Sequence, residues 1–274
     1  MASTANLVTC LRMAIELAET SREMIGRSLV DGAFRHGDAT LKEDRSFVTA
    51  TDAAVEARLR EIISRRFPDH GVIGEEHGEH GRGCSHVWVL DPIDGTAAFM
   101  AGIPVFGSLI ACCVDGDPVI GVMDFPALGA RFVGVAGEPT RLNGNVLKTR
   151  PCAELAGAIL SASSPDFFPP GDIQAFERLR SRTAWRIYGA AALAYGRLAQ
   201  GRIDLSIDSG LKIWDIAAFA PIVSGAGGRI TDWAGAPLTI DSGPRVLAAG
   251  DPAMHAVALE LLGREDAAKR RAGT

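Results

Sequence analysis

The stretch Trp88-Val89-Leu90-Asp91-Pro92-Ile93-Asp94-Gly95-Thr96 constrains this chain more than any other, because a short apolar run delivers two carboxylates into a turn marked by Pro and Gly. Val87 to Leu90 reads as a buried strand that carries no charge, so Asp91 is the first residue free to face a cleft at its end. Pro92 fixes its own φ and Gly95 frees the backbone beside it, which lets the turn project Asp91 and Asp94 toward one point. Two such carboxylates repel unless a cation sits between them. The same residues also suit a plain polar turn that caps a strand. Other acids weigh toward the metal reading: Gly74-Glu75-Glu76-His77-Gly78 follows the apolar pair Val72-Ile73, and Asp215 opens an apolar helix in Ile213-Trp214-Asp215-Ile216-Ala217-Ala218. These acidic points, each at a strand end or a helix start, form a constellation.

At 274 residues the chain accommodates one large domain or two closely packed ones, and 47% apolar residues supply a sizeable core. The formal net charge is -5 with Lys and Arg scattered, so no nucleic-acid surface is expected. No apolar span approaches the ~20 residues that cross a bilayer, and no membrane association is expected. Arg12 and Glu16 interrupt the apolar residues of the N-terminal segment, which therefore reads as mature helix. Cys10, Cys84, Cys112, Cys113 and Cys152 form no C-x-x-C pair, and reduced thiols in a cytoplasmic setting are expected.

Val8, Leu11, Ile15, Ala18, Arg22 and Ile25 predict an amphipathic first helix, and Val55, Leu59, Ile62 and Ile63 a second, stopped by Phe67-Pro68-Asp69. Asp52, just ahead of that second stripe, fits a helix cap as well as a site acid. Strands are expected over 106–114, 119–125 and 130–136 as an antiparallel meander. From about residue 150 the pattern alternates: strand 158–163, helix 172–182, strand 185–188, helix 190–200, strand 203–207 and helix 215–224. Strands at 229–232 and 246–249 and a helix at 252–262 complete an expected α/β layer. Segment 167–171 is the expected long exposed loop.

Taken together, Val48-Thr49-x-Thr51-Asp52, Gly74-Glu75-Glu76, Asp91-Pro92-Ile93-Asp94-Gly95-Thr96 and Trp214-Asp215-x-Ala217-Ala218, followed by Ala226-Gly227-Gly228, resemble the signatures of the inositol monophosphatase superfamily of magnesium-dependent phosphomonoesterases. The likeness runs over nearly the whole chain. It implies a layered α-β-α-β-α sandwich of mixed α+β and α/β class. Residues 1–150 would form an α+β half with an antiparallel meander sheet and most metal ligands, and 151–274 an α/β half carrying Asp208 and Asp215. It further implies that Glu75, Asp91 and the Ile93 carbonyl hold one Mg2+, that Asp91, Asp94 and Asp215 hold a second, and that Glu75 helps hold a weaker third through water. Glu76 would be an outer neighbour. Thr96, paired with Asp52, would orient the attacking water, with Glu75 as the other catalytic acid. The amides of Gly95 and Thr96, beside Asp94, would cradle the phosphate at a helix start. An all-oxygen set of this kind suits Mg2+, or Mn2+.

Phe99-x-x-Gly102-x-Pro104-x-Phe106-Gly107, Gly121-Val122-Met123-Asp124-x-Pro126 and Gly210-Leu211-Lys212 are similar to the histidinol-phosphate phosphatase branch. That branch carries an acid after the Tyr-Gly matching Tyr188-Gly189, and Ala191 stands in its place. An acid there would balance the ammonium of histidinol. Asp208, where the family has an acid touching the substrate's hydroxyl or amine, is left for that role, or is an ordinary strand-end acid. The expected activity is hydrolysis of a small alcohol phosphate by metal-activated water, histidinol phosphate ahead of inositol 1-phosphate. A non-catalytic metal-binding relative is the alternative from another class. Relatives are commonly homodimers, and the meander strands are the expected interface.

The remaining polar residues read as structural. His36, His70, His77, His80, His86 and His255 form no ligand cluster and are expected at the surface, and Lys42 is either solvated or close to substrate. Trp214 is expected in the core, Asp232 and Asp241 in turns, and Gly225-Ala226-Gly227-Gly228 at a helix end.

Overall fold

The computed structural model describes residues 4–30, 39–41 and 47–272; Lys42 and His36 lie outside them. Helix α1 (Thr4–Val30) precedes an antiparallel pair, β1 (Ala39–Leu41) and β2 (Phe47–Thr49), and then helix α2 (Ala50–Arg66). A large sheet follows: β3 (Gly71–Gly74), β4 (Gly78–His80), β5 (His86–Asp94), the short helix α3 (Thr96–Ala101), then β6 (Gly107–Val114), β7 (Asp117–Phe125), β8 (Ala130–Val135), β9 (Arg141–Leu142) and β10 (Asn145–Val146). The rest of the chain runs β11 (Ile159–Ala162), α4 (Ile173–Arg180), β12 (Trp185–Tyr188), α5 (Leu193–Ala199), β13 (Leu205–Asp208), α6 (Ile213–Ile216), α7 (Phe219–Gly225), β14 (Arg229–Thr231), β15 (Val246–Ala249) and α8 (Pro252–Ala272).

The first sheet has eight strands in the order β10-β9-β8-β7-β6-β5-β3-β4, and β5 to β8 form the expected meander. Only β3 and β5 pair in parallel within it. The second sheet, β12-β11-β13-β15-β14, is parallel across β12, β11 and β13 and antiparallel beyond, so the alternating pattern of the C-terminal half yields a mixed sheet.

Strand periodicity divides the core into layers. Trp88 and Leu90 of β5 face α1 and α2, against Met13, Leu17, Val55 and Leu59. Val87 and Val89 face the opposite way, toward α5 and α7, where Leu193, Tyr195, Phe219 and Ile222 pack. The second sheet lies against those helices through Val246 and Ala248 and turns Leu205, Leu247 and Ala249 toward α4 and α8. The result is the α-β-α-β-α stack expected above. With both faces of the meander covered by helices, the exposed apolar residues lie elsewhere: β12 is a sheet edge exposed along its length, and its Trp185 is 71% exposed.

The boundaries differ in instructive places. The helix expected over 215–224 is two short helices, α6 and α7, bent at Ala217-Ala218, and alanine carries no stop signal. Strand β5 does not end at Leu90 but runs on through Asp94. His255 is buried, with Nε2 3.0 Å from Thr231 Oγ1, rather than at the surface. Of the expected exposed loop, Phe167 is exposed, but Phe168 is buried and stacks on Phe176. Asp232 holds its turn by accepting the Ala234 and Ala236 amides, and the glycine cluster at 225–228 ends α7.

Two glycines let α7 approach the sheet. A Cβ on Gly121 of β7 would collide with the Ala218 carbonyl oxygen, and one on Gly134 of β8 would stand 2.6 Å from the Ile222 nitrogen. Because the obstacle is backbone, the helix itself would have to move, and with it Asp215. Gly121→Ala is therefore expected to destabilise the fold by about 2 kcal/mol, measured by urea unfolding. Gly157→Ala, with open space around it, should be neutral.

Candidate active site

In a regular strand, residues three apart point to opposite faces. Asp91 pairs with Leu109 and Asp94 with Gly107, so β5 carries one more residue than β6 between those pairs, a β-bulge. The extra residue turns both carboxylates to the same side. The bulge is pinned from behind by Ser108, whose hydroxyl donates to the Pro92 carbonyl at 2.7 Å and meets the Ser21 hydroxyl of α1.

The other acids reach this point from separate elements. The parallel register sets Gly74 beside Leu90, and Glu75 follows with its amide on the Leu90 carbonyl at 3.3 Å. Asp215, in the first turn of α6, accepts the Lys212 amide at 2.6 Å, and Trp214 packs half-buried on the core beneath. Asp94 accepts the Ala192 amide at 2.8 Å. That contact requires a left-handed backbone at Ala191, with φ of 47°, a conformation uncommon for alanine.

Asp91, Asp94 and Asp215 each present a carboxylate oxygen within 4.8 Å of the others. Burial pushes the Asp91 carboxyl well up, and Glu75, Asp94, Asp215 and Asp52 add to the effect. Asp94 is pushed up to about 7 by withdrawal from water, against the Ala192 amide, with Glu75 and Asp208 raising it further. Asp215 is raised for the same reason, with Lys212 opposing and Asp94, Glu75 and Asp208 adding. No lysine or arginine among the described residues offsets these charges, and Asp91 Oδ1 is buried without a hydrogen-bond partner. An orphaned oxygen among clustered hard donors fits a divalent cation of the Mg2+ type.

The cap of α2 is Thr49 rather than Asp52, which sits at the third helical position. Asp52 closes a capping box with Thr49 at the start of α2, and Thr96 Oγ1 lies 3.4 Å from its Oδ1. The same hydroxyl lies 3.1 Å from the Ile93 carbonyl, and having one proton it serves one acceptor at a time. Burial raises the Asp52 carboxyl, against its Thr49 contacts. Gly95 is left-handed, with φ of 77°, and a Cβ on it would face Ala191 at 3.6 Å, so residue 191 stands next to the expected phosphate cradle. Asp208, at the end of β13, is buried; its Oδ1 accepts the Ser163 amide at 2.7 Å and its Oδ2 the Tyr195 hydroxyl at 2.9 Å. Burial pushes it up to about 6, against those bonds.

The structure thus gathers Asp91, Asp94 and Asp215 with Glu75 and Asp52 at one end of β5. Ser108, Ala192, Tyr195 and Glu56, which support these groups, were not singled out by sequence. A lone tyrosine in the alanine-rich run 190–199 and a lone acid beside Val55 were the available signals.

Residues 6–266 match the model of the inositol monophosphatase family. The chain is 39% identical over 267 residues to the bifunctional phosphatase IMPL2, chloroplastic, of Arabidopsis thaliana, covering 90% of this chain and 77% of that one. It is 34% identical to the histidinol-phosphatase of Chlorobaculum parvum, covering 84% and 88%. The solved inositol monophosphatase from Zymomonas mobilis superposes with a TM-score of 0.82 at 34% identity, over 96% of this chain and 99% of that one. The chain belongs to the inositol monophosphatase family, whose members are metal-dependent, and is a phosphoric monoester hydrolase.

If the acids repel one another in the absence of metal, Asp94→Asn should unfold at the same temperature as the wild type in EDTA, or higher. Mg2+ at about a hundred times its dissociation constant should stabilise the wild type by about 2.7 kcal/mol and stabilise Asp94→Asn less, since that variant loses a ligand of one expected ion only. Thermal unfolding with and without Mg2+ measures both.

Proposed function

As a member of the inositol monophosphatase family, this chain, we propose, is a Mg2+-dependent phosphomonoesterase that hydrolyses a small alcohol phosphate, histidinol phosphate first among them. The observation that carries the metal dependence is the cluster of Asp91, Asp94 and Asp215, which no lysine or arginine among the described residues offsets, with its orphaned Asp91 oxygen. Glu75, Asp91 and the Ile93 carbonyl would hold one ion and Asp91, Asp94 and Asp215 a second, with Glu75 reaching a weaker third. When bound, such ions supply Lewis acidity, polarising the phosphate and acidifying a water.

The protein's own groups then do the positioning. Donating its proton to Asp52 leaves the Thr96 oxygen with lone pairs that accept a hydrogen bond from the attacking water and fix its approach. Glu75 takes the proton that the water sheds. The first-turn amides at Gly95 and Thr96 have no partner within α3 and would donate to the phosphate oxygens. Asp208, a buried acid close enough to raise Asp94 and Asp215, meets the ammonium or hydroxyl of the leaving alcohol.

Histidinol phosphate is favoured because a buried carboxylate at Asp208 rewards a cationic alcohol. A second reading, inositol 1-phosphate or a related polyol phosphate, rests on Ala191: beside Gly95 the wall is neutral where an acid would have doubled that reward. Phosphate release from the two esters in parallel, with Mg2+, separates the readings. The first expects a higher kcat/KM for histidinol phosphate and a preferential loss for that substrate in Asp208→Asn. A higher value for inositol 1-phosphate supports the second, and fructose 1,6-bisphosphate and 3'-phosphoadenosine 5'-phosphate complete the panel.

A reducing, cytoplasmic setting is supported by five free cysteines. Two copies would pair as in relatives, and the face available for it is the open edge of β12, where Trp185, Ile187 and Tyr188 are exposed. Light scattering should report a dimer for the wild type and a monomer for Trp185→Glu; a monomeric wild type contradicts the pairing.

A further inference from the structure

Asp52, Glu56 and Arg60 lie one helical turn apart along α2 and form a single stripe. The first faces Thr96; the other two face the turn between β3 and β4, which carries Glu75. Glu56 is fully buried, and its carboxylate accepts the Glu76 amide at 2.7 Å on Oε2 and the His77 amide at 3.1 Å on Oε1. Arg60 Nε donates to Oε1 at 2.7 Å, and Arg60 Nη2 donates to the Gly78 carbonyl. A Cβ on Gly74 would collide with the Glu56 carboxylate, so the chain leaves that side chain its space.

We propose that Glu56, oriented by Arg60, is a positioning residue that locks the backbone around Glu75 and thereby sets the affinity of the site for Mg2+. The inference rests on the reading of Glu75 as a metal ligand. Among the described residues no lysine or arginine offsets Asp91, Asp94 and Asp215, whereas Glu56 has Arg60 and two amides, so its charge is already spent inside the protein. What it holds is one side of the Glu75 turn; the Glu75 amide bond to Leu90 holds the other. With the backbone fixed on both sides, Glu75 has only its side-chain torsions left to order when an ion arrives. A buried ion pair is costly to desolvate and a weak source of stability. Pre-ordering a ligand turn is a physical reason for one here.

The test is calorimetric titration of the full-length protein with Mg2+, alongside thermal unfolding in EDTA and turnover against Mg2+ concentration. Glu56→Gln removes the charge opposite Arg60 and sets an amide NH2 against one of the two backbone N–H groups. Its Mg2+ dissociation constant should rise about tenfold, the scale seen for groups that orient ligands. Turnover lost at low Mg2+ should recover as the ion is raised. Gly74→Ala, which displaces the same carboxylate, and Arg60→Gln should weaken binding in the same direction, and they carry the test if Glu56→Gln does not fold. Asp204→Asn is the control: this buried acid pairs with Arg150 at the far end of β13 and should lower the unfolding temperature without moving the Mg2+ constant. An unchanged constant in the folded variants, or an equal loss in Asp204→Asn, overturns the proposal. Asp94→Asn separates the two levels: if it binds Mg2+ like the wild type, the metal site itself has been misread, whatever Glu56 does.

Discussion

Mutual repulsion among carboxylates gathered at the end of one strand is the constraint that the rest of this molecule is built to withstand. Each acid is fixed from behind by something stiff: Asp91 and Asp94 by the β5 bulge and its Ser108 strut, Asp215 by its cap at Lys212, and Asp94 again by an alanine amide presented through a left-handed kink. Left alone, such groups would swing toward water. Held together, they are raised in pKa and, among the described residues, short of a counter-charge, which is the condition a divalent cation relieves.

The same constraint accounts for the division of labour between the sheets. The large sheet contributes β3 and β5, whose parallel pairing puts Glu75 beside Asp91. The helices between the sheets bring the partners from the second half of the chain: α6 carries Asp215, and α5 offers both the Ala192 amide to Asp94 and the Tyr195 hydroxyl to Asp208. Close packing of α7 on Gly121 and Gly134 sets the distance between these contributions. A short helix such as α5, with one end on Asp94 and its middle on Asp208, ties the expected metal and alcohol subsites into a single rigid unit.

Much of this was legible in the sequence because the signals were local. Pro92 and Gly95 announced an interruption at the acids, the apolar spacing of Val55, Leu59 and Ile63 announced α2, and Asp-Gly and Pro marked the meander turns. What escaped depends on partners far along the chain. Nothing near Asp91 says that β5 continues past it, because the bulge is defined only by the register with β6. Glu56 and Tyr195 gain their meaning from residues 13 to 21 positions away. His255 was misplaced because a single polar residue in an amphipathic helix gives no hint that Thr231 waits for it. The break between α6 and α7 falls on alanines, which local propensity would run straight through.

The central claim, that acids from both halves of the chain hold divalent ions at the end of β5, is tested most directly by anomalous diffraction from crystals equilibrated with Mn2+ and phosphate. The account predicts anomalous peaks enclosed by Asp91, Asp94 and Asp215, with a further one shared by Glu75 and the Ile93 carbonyl, and phosphate density over Gly95 and Thr96. Strong peaks elsewhere, with nothing among these carboxylates at saturating Mn2+, would contradict it.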